Sequence, residues 1–389
     1  MLSLSLLLAC PPVVNTDKTE PAEPVDTGDT GDTGDTGGNV DTSDTSDTGV
    51  PPRSNTRAVV TTVSDDYASG VMATVDLASW AVEDNVTTVP SDNGVVSHNG
   101  TVYLLGRFGY DYVRVYAKGK LSEPAAEFSV GDGANPIDVR ECGGKVFVTR
   151  YGLDQMGVYD PSNWLLSGVV DLSGFADADG IPEMADLVDG PGNLYVAIQN
   201  LDQDNGWVPA GGAVAEIDCA TMSVTQSWEV SPNPSISAWP GRPDLLVTTG
   251  VYYNPDGSTA LDGALSTLSV ASGTVREIVS ETELGENIVG ISMVDESHGA
   301  LLTTDDASRY SAWCINPDSG DRTLIFTTTS FIIDMEAGDG DNVWLAARQS
   351  WADPESAGGI ITFDAVTCEP GSETWHKDTT FAPYSIAFF

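Results

Sequence analysis

From residue 57 onward the chain alternates short apolar runs with turns rich in Gly, Asn and Asp, and no window sustains a 3.6-residue period. The clearest run is a hydrophobic segment with an aromatic second residue after a tight turn: NGTVYLL from Asn99, GGKVFVT from Gly143, PGNLYVA from Pro191 and GDNVWLA from Gly340. Weaker copies are RAVVTTV from Arg57, PDLLVTT from Pro243 and HGALLTT from His298. A loop follows each, then a second run ending on a hydrophobic residue with Asp or Asn, as at Val75-Asp76, Tyr159-Asp160, Ile217-Asp218, Ile315-Asn316 and Phe363-Asp364. A third run such as SGVVDLS or TQSWEVS comes next, and a fourth such as PIDVREC, PEMADLV, NIVGISM or FIIDMEA leads into the next Gly turn.

Successive copies of the first run start at Val59, Val102, Val146, Leu194, Leu245, Ala300 and Val343, 43 to 55 residues apart. Four short strands at that spacing predict an all-β chain, a seven-bladed β-propeller of four-stranded antiparallel blades. Radial stacking covers both faces of each sheet, which explains runs such as LLVTTG and GIITFD that alternate poorly. Arg57 enters at the second strand of a blade, and the final PYSIAFF is an innermost strand with no blade after it. That strand is expected to pair into blade 1 and close the ring, removing two exposed edges. GKVFVTRYG followed by VYDPSNW resembles the YVTN-type bacterial propeller repeat, related in pattern to NHL repeats, over residues 57–389.

Ahead of the repeats, residues 1–10 (MLSLSLLLAC) hold an apolar run the length of a signal-peptide core, too short to span a bilayer as a helix. Leu7-Leu8-Ala9-Cys10 resembles the lipobox of bacterial lipoproteins, which implies lipidation of Cys10 and attachment to a membrane. Pro11 follows it, not the aspartate of inner-membrane retention, so the resemblance implies an outer-membrane or cell-surface location. Residues 11–56 lack aromatics and carry DTGDTGDTGDTGG, then DTSDTSDTG. Such a segment buries too little apolar surface to offset its ordering entropy and is expected to be a disordered tether. It resembles the Asp-Thr-Gly linkers of surface lipoproteins from myxobacteria and their relatives.

The chain has 58 acidic and 16 basic residues, a formal charge of -42, and most of that charge lies after residue 50. Such a surface repels phosphate backbones and excludes nucleic acid as a partner. It attracts cations, calcium among them, or serves only solubility. Two stretches look like parts of calcium loops, Asp177-Ala-Asp179-Gly180 and Asn200-Leu-Asp202-Gln-Asp204, because alternating Asp sets carboxylates on one side of a tight turn. The other reading is that both are ordinary turns. Asp138, Asp186 and Asp334 fall on innermost strands, where they line the channel and offer a weaker cation signal.

The longest loops join second and third strands, and long loops on a rigid scaffold are where function concentrates. They carry Phe108, Tyr110, Tyr112, Tyr151, Trp207, Tyr252, Tyr253, Tyr310 and Trp351, rings that suit a sugar or a peptide side chain, or that fold back as padding. Arg107, Arg150 and Arg348 end second strands in blades 2, 3 and 7 and form either an anion site or pairs with neighbouring Asp. The three histidines, His98, His298 and His376, have no metal-triad spacing, and no nucleophile elbow or phosphate loop is present. Cys142, Cys219, Cys314 and Cys368 allow three pairings; joining neighbours gives Cys142–Cys219 and Cys314–Cys368, each between adjacent blades. The expected function is a monomeric, surface-exposed binding or scaffolding module for an envelope protein or glycan. The alternative is a calcium-dependent hydrolase or lyase at the channel mouth.

Overall fold

The computed structural model describes residues 55–250, 260–350, 353, 355–356, 358–371 and 379–389. Cys10, the tether up to residue 54, Tyr252, Tyr253, Trp351 and His376 lie outside the described residues.

Seven four-stranded antiparallel sheets stand around a ring. Their inner strands are Ala382–Phe388 for blade 1, then Asn93–His98, Pro136–Cys142, Met184–Asp189, Ser235–Ala238, Asn287–Met293 and Phe331–Asp339 for blades 2 to 7. Each packs on the next, and Phe331–Asp339 packs on Ala382–Phe388, so the circle is complete. Within a blade the chain runs outward in order, as in Asn93–His98, Thr101–Gly106, Tyr112–Tyr116 and Ala126–Ser129 of blade 2. Ala382–Phe388 pairs antiparallel with Arg57–Val63, placing Ala58 against Phe388 and Val60 against Ile386. The backbone N–H groups of Thr56 and Arg57 then donate to the Phe389 carbonyl at 3.1 and 3.2 Å.

Burial grades outward along each blade. Second strands are buried at nearly every position, as in Thr101–Gly106 and Lys145–Arg150, because a blade lies against each face. Outer strands such as Thr274–Ser280 and Arg322–Thr328 are exposed or half-buried at nearly every position. The apolar core is accordingly a series of layers between blades. One layer joins Phe147, Met156 and Val170 of blade 3 to Met184, Leu194 and Ile217 of blade 4. Gly338 shows how tight the closing joint is: a Cβ there would lie 2.3 Å from the Phe388 ring, so only glycine fits.

The inner strands are also stitched to each other by polar side chains. Asp138 Oδ2 accepts the Leu187 N–H of blade 4 at 2.8 Å, and Asp186 Oδ2 accepts the Ile236 N–H of blade 5 at 3.2 Å. Asp334 Oδ2 accepts the Ile386 N–H of blade 1 at 2.8 Å. Ser385 and Ser292 make the same bridge to Val95 N and Ala337 N at 3.2 and 3.0 Å. Register shifts interrupt the pairing of each of these five strands with its second strand. Such bulges re-aim side chains, here onto backbone groups of the neighbouring inner strand. Asp138, Asp186 and Asp334 stand on inner strands as expected, and all three are acceptors for backbone groups of the neighbouring inner strand.

Candidate metal centre on the long-loop face

Blade-to-blade connections and the loops between second and third strands share one face. On it, the connection from blade 3 to blade 4 meets the loop after the second strand of blade 4. In the first, Asp177 Oδ1 accepts the Asp179 N–H (3.0 Å), Asp179 Oδ1 accepts the Ile181 N–H (2.8 Å), and Gly180 takes φ +85°. In the second, Asp202 caps a single 3-10 turn over Gln203–Asn205, which Gly206 ends at φ +74°. The loops are tied where Gln203 N–H donates to Asp179 Oδ2 at 2.7 Å. This brings carboxylate oxygens of Asp177, Asp179 and Asp202 within 4.8 Å of one another. Asp204 is exposed on the short helical turn and is not one of the three.

The donor set fits a hard cation. Asp177 Oδ2 is buried and has no hydrogen-bond partner, and a carboxylate oxygen without one carries a desolvation penalty that a cation removes. Burial, reinforced by the charges of Asp179 and Asp202, pushes the Asp177 carboxyl above its ordinary range. Glu183 supports the pair of loops from beneath. It is fully buried, accepts the Leu201 N–H and the Gln203 Nε2–H at 2.8 Å each, and is pushed by burial up to about 7. Sequence reading passed over Glu183, although one acid inside Ile181-Pro182-Glu183-Met184-Ala185 was a signal of a buried polar role.

The three arginines do not build an anion site. Arg107, Arg150 and Arg348 are only 6, 8 and 3% exposed and are engaged within the chain. Arg107 pairs with Asp92 through Nε at 2.8 Å and reaches Tyr384 Oη of blade 1 at 3.4 Å. Arg348 donates to the carbonyls of Val63, Ala382 and Ser64 at 2.9, 3.1 and 3.2 Å and lies over the Tyr67 ring. Arg150 donates to the carbonyls of Gln155 and Val130, at 2.7 and 3.4 Å, and among the described residues no carboxylate is bonded to it. Arg150 and Arg348 thus satisfy backbone carbonyls and Arg107 a carboxylate and a hydroxyl, so the guanidinium groups serve as seals.

The aromatics divide. Tyr151 and Tyr310 are buried padding, Tyr151 donating its hydroxyl to Gln199 Oε1 at 2.9 Å. Trp207 is half-buried beside the acidic cluster, its N–H on the Asp202 carbonyl at 2.7 Å. Phe108 and Tyr110 stand out, at 58 and 45% exposed. Their loop is rigid: Phe108 N–H donates to Asn135 Oδ1 at 3.1 Å, and Asp111 accepts the N–H groups of Gly133 and Asn135 at 2.8 Å each.

A second convergence lies at the other end of the channel. His98 Nε2 is 3.2 Å from Asp189 Oδ2, and its Nδ1 is 4.0 Å from Glu141 Oε2. Arg140 lies 2.5 Å from Asp138 Oδ1 and 4.0 Å from Asp189 Oδ2. These groups come from the inner strands of blades 2, 3 and 4, so no linear spacing announces them. Cys142 and Cys219 form a disulfide between blades 3 and 4 with Cα atoms 5.8 Å apart. The second expected bridge is not made: Cys314 and Cys368 are thiols, side by side across the joint of blades 6 and 7, with Cys314 Sγ directed at the Asp364 carbonyl at 3.9 Å.

No family model matches the chain. No curated protein matches it. Solved structures do. The periplasmic gluconolactonase of Pseudomonas aeruginosa superposes with a TM-score of 0.60 at 12% identity, covering 85% of this chain and 98% of that one. A putative 6-phosphogluconolactonase of Bacteroides uniformis gives 0.58 at 13% identity over 86 and 99%. A streptogramin B lyase gives 0.52 at 15% identity over 76 and 86%. At these identities the likeness is one of fold, and the chain is a seven-bladed β-propeller.

Proposed function

We propose that this chain is a lipid-anchored, extracytoplasmic binding or scaffolding module that contacts an envelope protein or glycan through its long-loop face. The observation that carries the reading is the Phe108 and Tyr110 pair, exposed on a loop already fixed by Asn135 and Asp111. Rigid exposed aromatics give contact area with little ordering entropy left to lose. In this reading calcium at Asp177, Asp179 and Asp202 pins the two neighbouring loops that carry them to the same face. The test is binding of the full chain to purified envelope glycans and outer-membrane proteins by interferometry, with the double variant F108A/Y110A beside it. A loss of about tenfold or more in affinity is expected. Equal binding by the double variant would remove the face from the proposal.

Calcium is tested separately by calorimetric titration and by melting in calcium or EDTA at fixed ionic strength. Saturating calcium should raise the melting temperature, and Asp177→Asn should abolish the rise. An unchanged melting curve would sink the ion.

The His98, Asp189 and Arg140 convergence favours a second reading, a hydrolase acting at the channel mouth, in keeping with the lactonases that share the fold. His98 would be the base. Turnover of gluconolactone no faster than in buffer, or equal in His98→Gln, would dismiss it.

A further inference from the structure

The turn between third and outer strands is built alike in six blades. An Asp, Asn or Ser opens it, and the residue four places on adopts a left-handed conformation; in five of the six it donates its N–H back. The pairs are Trp80 to Asp76 (2.8 Å), Trp164 to Asp160 (2.7 Å), Met222 to Asp218 (2.8 Å), Gly273 to Ser269 (2.7 Å) and Gly320 to Asn316 (2.8 Å). Cys368 holds the same place after Asp364, at φ +61°.

From that place a side chain reaches across the joint to the preceding blade. Trp80 stacks on Trp344 with centroids 4.6 Å apart, and Trp164 on Phe128 at 5.5 Å. The Met222 thioether covers Gly168, and Cys368 meets Cys314. Blade 5 has Gly273, and Trp228 of blade 4 swings over it instead. Blade 2 turns differently and buries Leu121 against blade 1. Gly320 of blade 6 breaks the pattern. It brings no side chain, and a Cβ there would meet only Ile278, at 3.5 and 3.7 Å. The joint is left as an open depression of about 380 Å³ lined by Glu283, Leu284, Trp313, Gly320, Asp321 and Arg322.

We infer that this open joint binds a saccharide unit. Its volume suits a small ring system. Its chemistry differs from that of the joints filled by indoles, whose walls are aromatic. Here a half-buried Trp313 shares the wall with Asp321 and the Glu283–Arg322 ion pair at 2.6 Å. A purely apolar ring would desolvate these charges without pairing them. A pyranose offers a C–H face to the indole and hydroxyls to the carboxylates and guanidinium. The depression is also held open. Arg242 clamps the turn through Asp318 at 2.6 Å and Glu296 at 2.9 Å, Arg276 donates to the Pro317 carbonyl at 3.3 Å, and Trp313 Nε1 is fixed on Thr303 Oγ1 at 3.0 Å. The site takes Glu283 and Leu284 from the connection between blades 5 and 6 but shares no residue with Phe108, Tyr110 or the Asp177 cluster, so its test is separate from that of the proposal above.

The experiment titrates maltose, cellobiose, chitobiose and galactose, with indole as a control, into the full chain by calorimetry and saturation-transfer NMR. At least one sugar is expected to bind. Gly320→Trp, which copies the residue found at the same place in blades 1 and 3, should weaken that binding about tenfold or more while leaving cooperative melting intact. Arg322→Gln should weaken it too, and serves alone if the tryptophan variant does not fold. Binding of no sugar at tens of millimolar, sugar binding indifferent to both substitutions, or indole bound more tightly than every sugar would each overturn the inference.

Discussion

Buried charge at single positions governs how this ring responds to mutation and to pH. Arg107 is buried with Asp92 as its partner, whereas Arg309 pairs with Asp305 while remaining 56% exposed. Truncating the buried guanidinium strands its carboxylate, so Arg107→Ala should lower unfolding free energy by about 3 kcal/mol. Arg309→Ala should cost far less, because its pair is screened by solvent; equal losses in a denaturant titration would refute the distinction. Glu281 makes a pH prediction. It is 2% exposed, accepts the N–H groups of Gly263 and Ile288 at 2.8 Å each, and is pushed by burial from 4.5 up to about 7. The folded state thus holds a proton that the unfolded state gives up near 4.5. Its contribution is full below that pH and is lost as pH rises through about 7, a change of up to about 3 kcal/mol. Thermal melts from pH 5 to 8 in high salt, which screens surface repulsion, should show the decline. Glu281→Gln should lessen the slope, leaving the part that belongs to Glu183, at some cost in overall stability because one acceptor is lost.

The inner strands set the next scale. Asp334 bridges blades 7 and 1 by accepting both its neighbour Met335 N–H and the Ile386 N–H at 2.8 Å. Asp334→Ala leaves those buried donors unpaired and should destabilise by roughly 1–3 kcal/mol, with faster amide exchange at Ile386 as the local signature. An exchange rate unchanged at Ile386 would show that the stitch is unimportant. Strand identity and order were legible from hydrophobic period and Gly turns, since those follow directly from how a blade buries itself. Side-chain direction was not. Asp138, Asp186 and Asp334 occupy inner strands as read, but the bulges that turn them toward the next blade leave no mark in residue type. Tyr151 and the arginines look like a functional face in sequence because the same residues seal joints and bind ligands. The Asp177 and Asp202 loops were readable one by one, while their meeting depends on Glu183 and Gln203, which fold them together.

At the scale of the molecule, stability depends on closure. The last strand, Ala382–Phe388, supplies the inner wall of blade 1 and meets blades 2 and 7. Deleting residues 382–389 should replace a single cooperative melt by a broad one of lower midpoint, because it exposes an edge along the whole of Arg57–Val63. A truncated chain that melts as sharply as the parent would contradict this. Closure was legible from the phase of the repeat alone. What the Cys pairs do was only half legible: spacing points to adjacent blades, but it does not say that Cys142 and Cys219 join while Cys314 and Cys368 remain thiols.

The same closure decides how the ring carries mechanical load. Thr56 and Phe389 share a hydrogen bond of 3.1 Å, so the two ends of the folded part leave from one spot. A pull applied through the segment before Thr56 falls on Arg57–Val63, a strand laced on both sides, to Gly70–Asp76 and to Ala382–Phe388. Force along that strand loads both ladders in shear, many bonds at once, where pulling an outer strand would peel them singly. The clasp that completes the circle is thereby also the point at which the molecule is best able to be held.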